Sequence, residues 1–348
     1  MNENPALRDR SVPRFDCHVH LVGNGRKGSG CWLKMSGWHR MMGGMMSKMV
    51  AMPISFLHED FDEVYVTRII EMLRASSLDH ALLLAQDEVH HEDGSKREFG
   101  SFHVPNEYLF SVCERHPEFL PAISVHPARR DALDVLERCL DQGARALKLL
   151  PNCLNVNCSL PQYDSFWEKM AAAGLPMLAH TGGEMTVPVV NALYQDPEYL
   201  RRPLEIGVKV IAAHAASSSA ISDRDYFDHL VKMMAEFPHL YADTSALNTP
   251  FRSAAFLKIL KCDFQDRFVH GSDYPVPVGV LYPWMRGLID DKSRDAAARI
   301  DNLLERDFFL KRAIGFDESH FTRLGETFEQ IGYQCQPLII RPQPLAKE

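Results

Sequence analysis

Eight short apolar runs recur along this 348-residue chain, and amphipathic segments separate most of them. The runs fall near 12–18, 79–85, 120–126, 144–150, 175–180, 207–214, 239–245 and 267–273. They are near-continuously apolar rather than strictly alternating, which suits parallel strands covered on both faces. Helical patterns occupy 62–76, 104–116, 130–141, 163–173, 223–236 and 251–261; within 130–141, Leu133, Leu136, Cys139 and Leu140 recur at helical spacing. Eight strands alternating with helices predict an α/β chain folded as a (β/α)8 TIM barrel. An open doubly wound sheet is the rival, and it calls for a GxGxxG turn after the first strand. Gly23, Gly25, Gly28 and Gly30 follow the first run at a different spacing.

The whole chain, 1–348, is read as one barrel domain. A minimal barrel needs about 250 residues, so two segments are surplus. One is 21–60, predicted to be a lid inserted after the first strand. The other is a C-terminal helical extension, with a helix at 293–313 and a polar tail over 315–348. The insertion holds seven methionines between Met35 and Met52, with Trp32 and Trp38. Met42, Met45, Met46 and Met49 follow helical spacing, interrupted by Gly43 and Gly44. Flexible thioether side chains suit an adaptable apolar lid over a substrate; packing at a subunit interface, hence a homodimer, is the alternative. Copper binding by the clustered thioethers lacks companion ligands at fixed spacing.

Composition narrows the function classes. A formal net charge of −8 without a basic tract argues against a nucleic-acid partner. No run of 18 apolar residues exists, so no membrane span is expected. The first 15 residues lack the apolar core of a signal peptide. The eight cysteines form no CxxC pair, and free thiols in a cytoplasmic protein are the expectation, Cys153 and Cys158 included.

Polar residues close several of the runs. His18 and His20 end the first; side chains two apart on a strand share a face, so the two imidazoles converge as a metal requires. Lys148 lies near the end of the fourth run, His180 ends the fifth, His214 the sixth and Asp273 the eighth. In a parallel barrel these strand ends share one rim, where active sites sit. Three imidazoles and a carboxylate suit Zn²⁺, with Mn²⁺ as the alternative. Such an ion brings the pKa of water to about 7, and a neighbouring carboxylate can carry the proton. Asp16, two residues before His18, is expected on the same face, orienting an imidazole from behind. His90, His91 and His126 are read as solvated or substrate-facing. Each residue also has a plainer reading: a histidine at a strand end often serves structure, and Asp273 could simply fix a turn.

The pieces DCHVH, LKLLPN, LAHTG, IAAHAA and HGSDYP, in that order, resemble the amidohydrolase superfamily of metal-dependent barrels, and most closely its amidohydrolase-related branch. The resemblance runs from about residue 14 to 315. It implies that His18, His20, His180 and Asp273 bind the metal and that Asp273 also accepts the proton of the attacking water. His214 is implied to ligate a metal or polarise the substrate. For Lys148 it leaves three roles: a carboxylated bridge between two metals, a cation for a substrate carboxylate, or a structural stem, with substrate binding favoured.

The leading expectation is therefore hydrolysis of an amide, lactone or ester bond in a small carboxylate-bearing substrate. The alternative is nonoxidative decarboxylation of an aromatic or unsaturated acid at the same metal. A non-enzymatic barrel is disfavoured by the complete His/His/His/Asp set.

Overall fold

The computed structural model describes residues 12–34 and 37–329, except for the side chains of Trp38, Met42, Phe328 and Glu329. Its main sheet has eight parallel strands in chain order: β1 (Phe15–His20), β2 (His80–Leu84), β3 (Phe119–Ile123), β4 (Ala146–Leu149), β5 (Met177–Ala179), β6 (Val210–Ala212), β7 (Leu240–Asp243) and β8 (Phe268–Val269). The segment following β8 returns to β1. Asp273 donates its N–H to the His18 carbonyl at 2.8 Å, and His20 donates to the Tyr274 carbonyl at 2.8 Å. The predicted (β/α)8 barrel is the fold, with every predicted strand present.

Helices cover the outside because one stripe of each is apolar. Along Phe61–Arg74, Tyr65, Val66, Ile69, Ile70 and Leu73 are buried, and Asp62 and Glu63 in the first turn complement the helix dipole. Along Ala132–Asp141 the buried stripe is Ala132, Val135, Leu136 and Cys139, one step round from the predicted one, and Leu133 is exposed. Inside the barrel lies a separate cluster that includes Phe15, Cys17, Leu82, Leu120, Leu178 and Ile211.

Both surplus segments are ordered where described. Helix Gly37–Met49 runs through Gly43 and Gly44, and Trp32–Leu33 pairs antiparallel with Phe102–His103. Part of the stretch read as a polar tail is the helix Glu318–Glu329. It closes the end of the barrel where β1 and β8 begin: Leu324 joins the inner cluster, and Arg323 donates to the Phe268 carbonyl at 2.7 Å. A Cβ on Gly325 would stand 2.9 Å from the Phe15 ring, so this close approach needs glycine. Among the described residues, no helix is long and apolar enough to cross a membrane, and the seven cysteines are free thiols.

Candidate active site

The opposite rim gathers the chemistry, and a local irregularity in β1 sets it up. Phe15 and Asp16 pair with His80 and Ala81, while Val19 and His20 pair with Leu83 and Leu84. Cys17 and His18 therefore stand together opposite Leu82, which is a β-bulge. The extra residue breaks the two-residue alternation assumed for this strand. Asp16 consequently does not reach an imidazole. Its Oδ1 accepts from the backbone N–H of His18 at 3.0 Å and of Ser272 at 2.9 Å, tying β1 to the loop after β8. Burial pushes its pKa up to about 7 against those hydrogen bonds.

The expected imidazole partner is instead Asp243, at the end of β7. Its Oδ2 lies 2.8 Å from His18 Nδ1, and both side chains are fully buried. An ionised carboxylate only accepts, so Nδ1 carries the proton and Nε2 turns its lone pair inward. That Nε2 lies 3.3 Å from His20 Nε2, 3.2 Å from Asp273 Oδ1 and 2.9 Å from Lys148 Nζ. His20 Nε2 is 3.3 Å from the same Asp273 oxygen.

Across the rim, β6 ends in three consecutive left-handed residues: His214 (φ 59°), Ala215 (φ 50°) and Ala216 (φ 52°). Non-glycine residues there are strained, of order 1–3 kcal/mol each. Asp243 helps to hold the turn, its Oδ1 accepting the His214 N–H at 2.7 Å. Ser245 Oγ lies 2.8 Å from His214 Nδ1 and 3.0 Å from His18 Nδ1. His214 Nε2 is 3.2 Å from His180 Nδ1. Asp273 is left-handed too (φ 67°), and its Oδ2 lies 4.0 Å from His214 Nδ1. The strand ends thus bring His18, His20, Lys148, His180, His214 and Asp273 into one cluster.

The donor set fits a divalent metal. His18, His214 and Asp273 each offer a ligand atom within 4.8 Å of the other two. Tetrahedral ligands at the usual zinc bond lengths of about 2.0–2.1 Å stand about 3.3–3.4 Å apart, and the His18, His20 and Asp273 atoms match that spacing. His20 Nδ1 and His180 Nε2 are buried without a hydrogen-bond partner. Burial holds His18 and His214 well below the usual histidine range and lowers His180 to about 4, giving the neutral imidazoles a metal binds. Burial likewise lowers the pKa of Lys148, opposed by the Asp273 and Asp243 carboxylates.

The sequence reading missed two further acids. Asp243 closes the seventh run, and the same strand-end logic that selected Asp273 would have found it. Glu184 lies in the loop after β5, with Oε2 3.6 Å from His180 Nε2 and Oε1 accepting from the N–H groups of Thr186 and Val187. Burial raises its pKa, but His180 and those donors outweigh burial and keep it low. His126 proves to be neither solvated nor substrate-facing. It is fully buried, and Nε2 donates to the Leu154 carbonyl at 2.8 Å. His90 is buried beside it, their ring centroids 5.0 Å apart, whereas His91 is exposed.

A pocket of about 1030 Å³, measured to its open mouth, stands over the cluster. His20, Lys148, His180, His214, Glu184 and Asp273 line its floor, and residues of 21–60 line much of its wall. This is the architecture of a TIM-barrel enzyme, with its site at the carboxyl ends of the strands.

The chain matches the amidohydrolase family over residues 15–291, and it belongs to that family. It is an enzyme of the metal-dependent hydrolase type, and the family typically binds a divalent metal. Among solved structures, it is similar to an uncharacterized TIM-barrel protein from Bordetella bronchiseptica at 15% identity and a TM-score of 0.57, covering 92% of this chain and 99% of that one. It is also similar to a putative 2-pyrone-4,6-dicarboxylic acid hydrolase from Pseudomonas putida at 12% identity and a TM-score of 0.54, covering 94% and 100%. No curated protein matches it.

Proposed function

We propose that this protein hydrolyses an amide, lactone or ester bond in a small carboxylate-bearing substrate. The observation that carries the reading is the convergence of His18 Nε2, His20 Nε2 and Asp273 Oδ1 at 3.2–3.3 Å beneath an open pocket. His18, His20, His180 and Asp273 are the residues to hold the metal, Zn²⁺ in preference to Mn²⁺ on the donor chemistry. His180 stands beside the rest of that set, its Nδ1 3.2 Å from His214 Nε2. A divalent ion bound there supplies a Lewis acid that lets water ionise near neutral pH.

The remaining steps belong to side chains. Asp273 accepts the proton of the attacking water and returns it to the departing nitrogen or oxygen. His214, its ring steadied by Ser245, faces the oxygen of the carbonyl under attack, where charge develops. Asp243 keeps the His18 tautomer, and with it the direction of the Nε2 lone pair. Lys148 receives the substrate carboxylate, and the wall from 21–60 acts as the lid that keeps bulk water out.

Two measurements on one preparation test this reading. Elemental mass spectrometry of protein purified without added metal is expected to find about one zinc per chain. A panel of lactones, esters and amides is expected to release acid, with activity lost on chelation and restored by zinc. Carbon dioxide release from hydroxybenzoates, with no hydrolysis in the first panel, would replace hydrolysis by decarboxylation. A chain that holds no metal after reconstitution would remove both.

A further inference from the structure

The pocket has a charge pattern that its metal chemistry does not require. Among its described lining residues, Lys148 is the sole lysine or arginine. Two carboxylates, Asp273 and Glu184, share the same floor. The wall is apolar over most of its extent: Val22, Met46, Val50, Met52 and Phe56 come from 21–60, and Phe102 faces them from the loop after β2. A ligand anion entering this space meets its cations, Lys148 and the divalent ion once bound, at the same end of the pocket, beside the reacting groups. Beyond the floor the polar lining is limited to side chains such as His39, Ser47, Ser101 and Thr186 among apolar ones, so an anion at the far end of a long ligand would lose hydration against a mostly hydrocarbon wall.

The two faces of the roof helix point the same way. Met46 lines the pocket, while Met41 and Met45 are turned to solvent at 57% and 47% exposure. The thioether facing inward is a flexible, polarizable surface that follows the shape of an apolar ligand.

We propose that the substrate carries a carboxylate, or yields one at the cleaved bond, on an extended apolar body that packs against 21–60, and that a second carboxylate at the far end of that body weakens binding. This rests on the metal-dependent hydrolase reading for the location of the reacting carbon, but the binding preference is measurable without turnover.

The test is calorimetric titration of the zinc-loaded full chain with hexanoate, octanoate, octanedioate and octanamide. Each methylene buried against the wall is expected to tighten binding about fourfold, so octanoate should exceed hexanoate by about tenfold or more. Octanedioate, which differs from octanoate by one terminal carboxylate, should bind at least about tenfold more weakly. Replacing Lys148 with methionine should weaken octanoate severalfold more than octanamide. Met46→Gln should weaken octanoate severalfold and leave acetate unchanged. The chain-length series on the unaltered protein stands even where a variant fails to fold. Equal or tighter binding of octanedioate, or no dependence on chain length, would overturn the proposal. Turnover separates it from the reading beneath it. Octanoate binding in the stated order without hydrolysis of any octanoyl ester, amide or lactone would sink the hydrolase reading and leave the pocket assignment intact. Hydrolysis indifferent to chain length would do the reverse.

Discussion

The floor and the roof of the same pocket are built by different means. The floor consists of strand ends whose side chains are fixed by backbone devices: the β1 bulge at Cys17–His18, the left-handed turn at His214–Ala216, and the positive φ of Asp273. Buried carboxylates hold the bulge and the turn, Asp16 accepting the His18 N–H and Asp243 the His214 N–H, while the Asp273 N–H is held by the His18 carbonyl. The roof is the segment that follows β1, whose contribution to the pocket is chiefly hydrocarbon and thioether surface, with His39 and Ser47. Chemistry needs atoms placed to a few tenths of an ångström, and only a rigid barrel rim supplies that. Selectivity needs shape and polarity, which a loop can supply without disturbing the rim.

That contrast predicts unequal responses to mutation. Asp273→Asn should have the largest effect, lowering kcat/KM by about 10³-fold or more, because under the proposed function it removes both a metal donor and the proton acceptor. Steady-state assays on protein with an unchanged circular dichroism spectrum check it; a variant that keeps a tenth of the activity would move the chemistry away from the floor.

Asp243→Asn comes next. The amide can still sit beside His18 but no longer holds the tautomer by charge, so metal affinity should fall about 10–100-fold. Competition against a chelator of known affinity measures this, and unchanged affinity would show that the buried carboxylate serves only the β6 turn.

Changes in the roof should be smaller and different in kind. Met52→Ala should raise KM for an apolar substrate by about three- to tenfold and leave kcat within about twofold, since it removes binding shared by ground and transition states. A fall in kcat with KM constant would mean that the roof helps to position the reacting groups.

His126→Asn, outside the pocket, should affect turnover least, within about twofold at pH 7. Its effect belongs to stability. Burial lowers the His126 pKa from 6.5 to about 4, so the unfolded chain takes up a proton that the folded chain refuses. The contribution is whole above pH 6.5 and is lost as pH falls toward about 4, amounting to at most about 3 kcal/mol. Asp16 acts with the opposite sign, because its pKa rises on folding; its contribution is whole below pH 3.8 and is lost as pH climbs to about 7. Urea unfolding at pH 7.0 and 4.5 should show a smaller acid loss in the His126 variant than in the parent, and an equal loss would remove His126 from that account.

Much of this was legible in the chain. Eight apolar runs with helical patterns between them could satisfy their backbone and bury their faces in few ways, and the barrel is one of them. Given the barrel, His18, His20, His180, His214 and Asp273 had to share a rim, because strand ends converge there whatever their separation in sequence. Tertiary structure alone decided what each of them touches. Nothing in DCHVH announces a bulge, since the extra residue is set by how β1 pairs with β2, and that bulge took Asp16 away from the imidazoles. Asp243 reaches His18 across 225 residues, and Glu184 faces His180 only because the loop after β5 folds back. The orientation of Gly37–Met49, with Met46 inward and Met41 and Met45 outward, follows from packing over the rim rather than from methionine spacing. Periodicity along a chain records which residues must be buried; the partners of a buried polar group depend on which strands lie side by side, and that is settled only when the barrel closes.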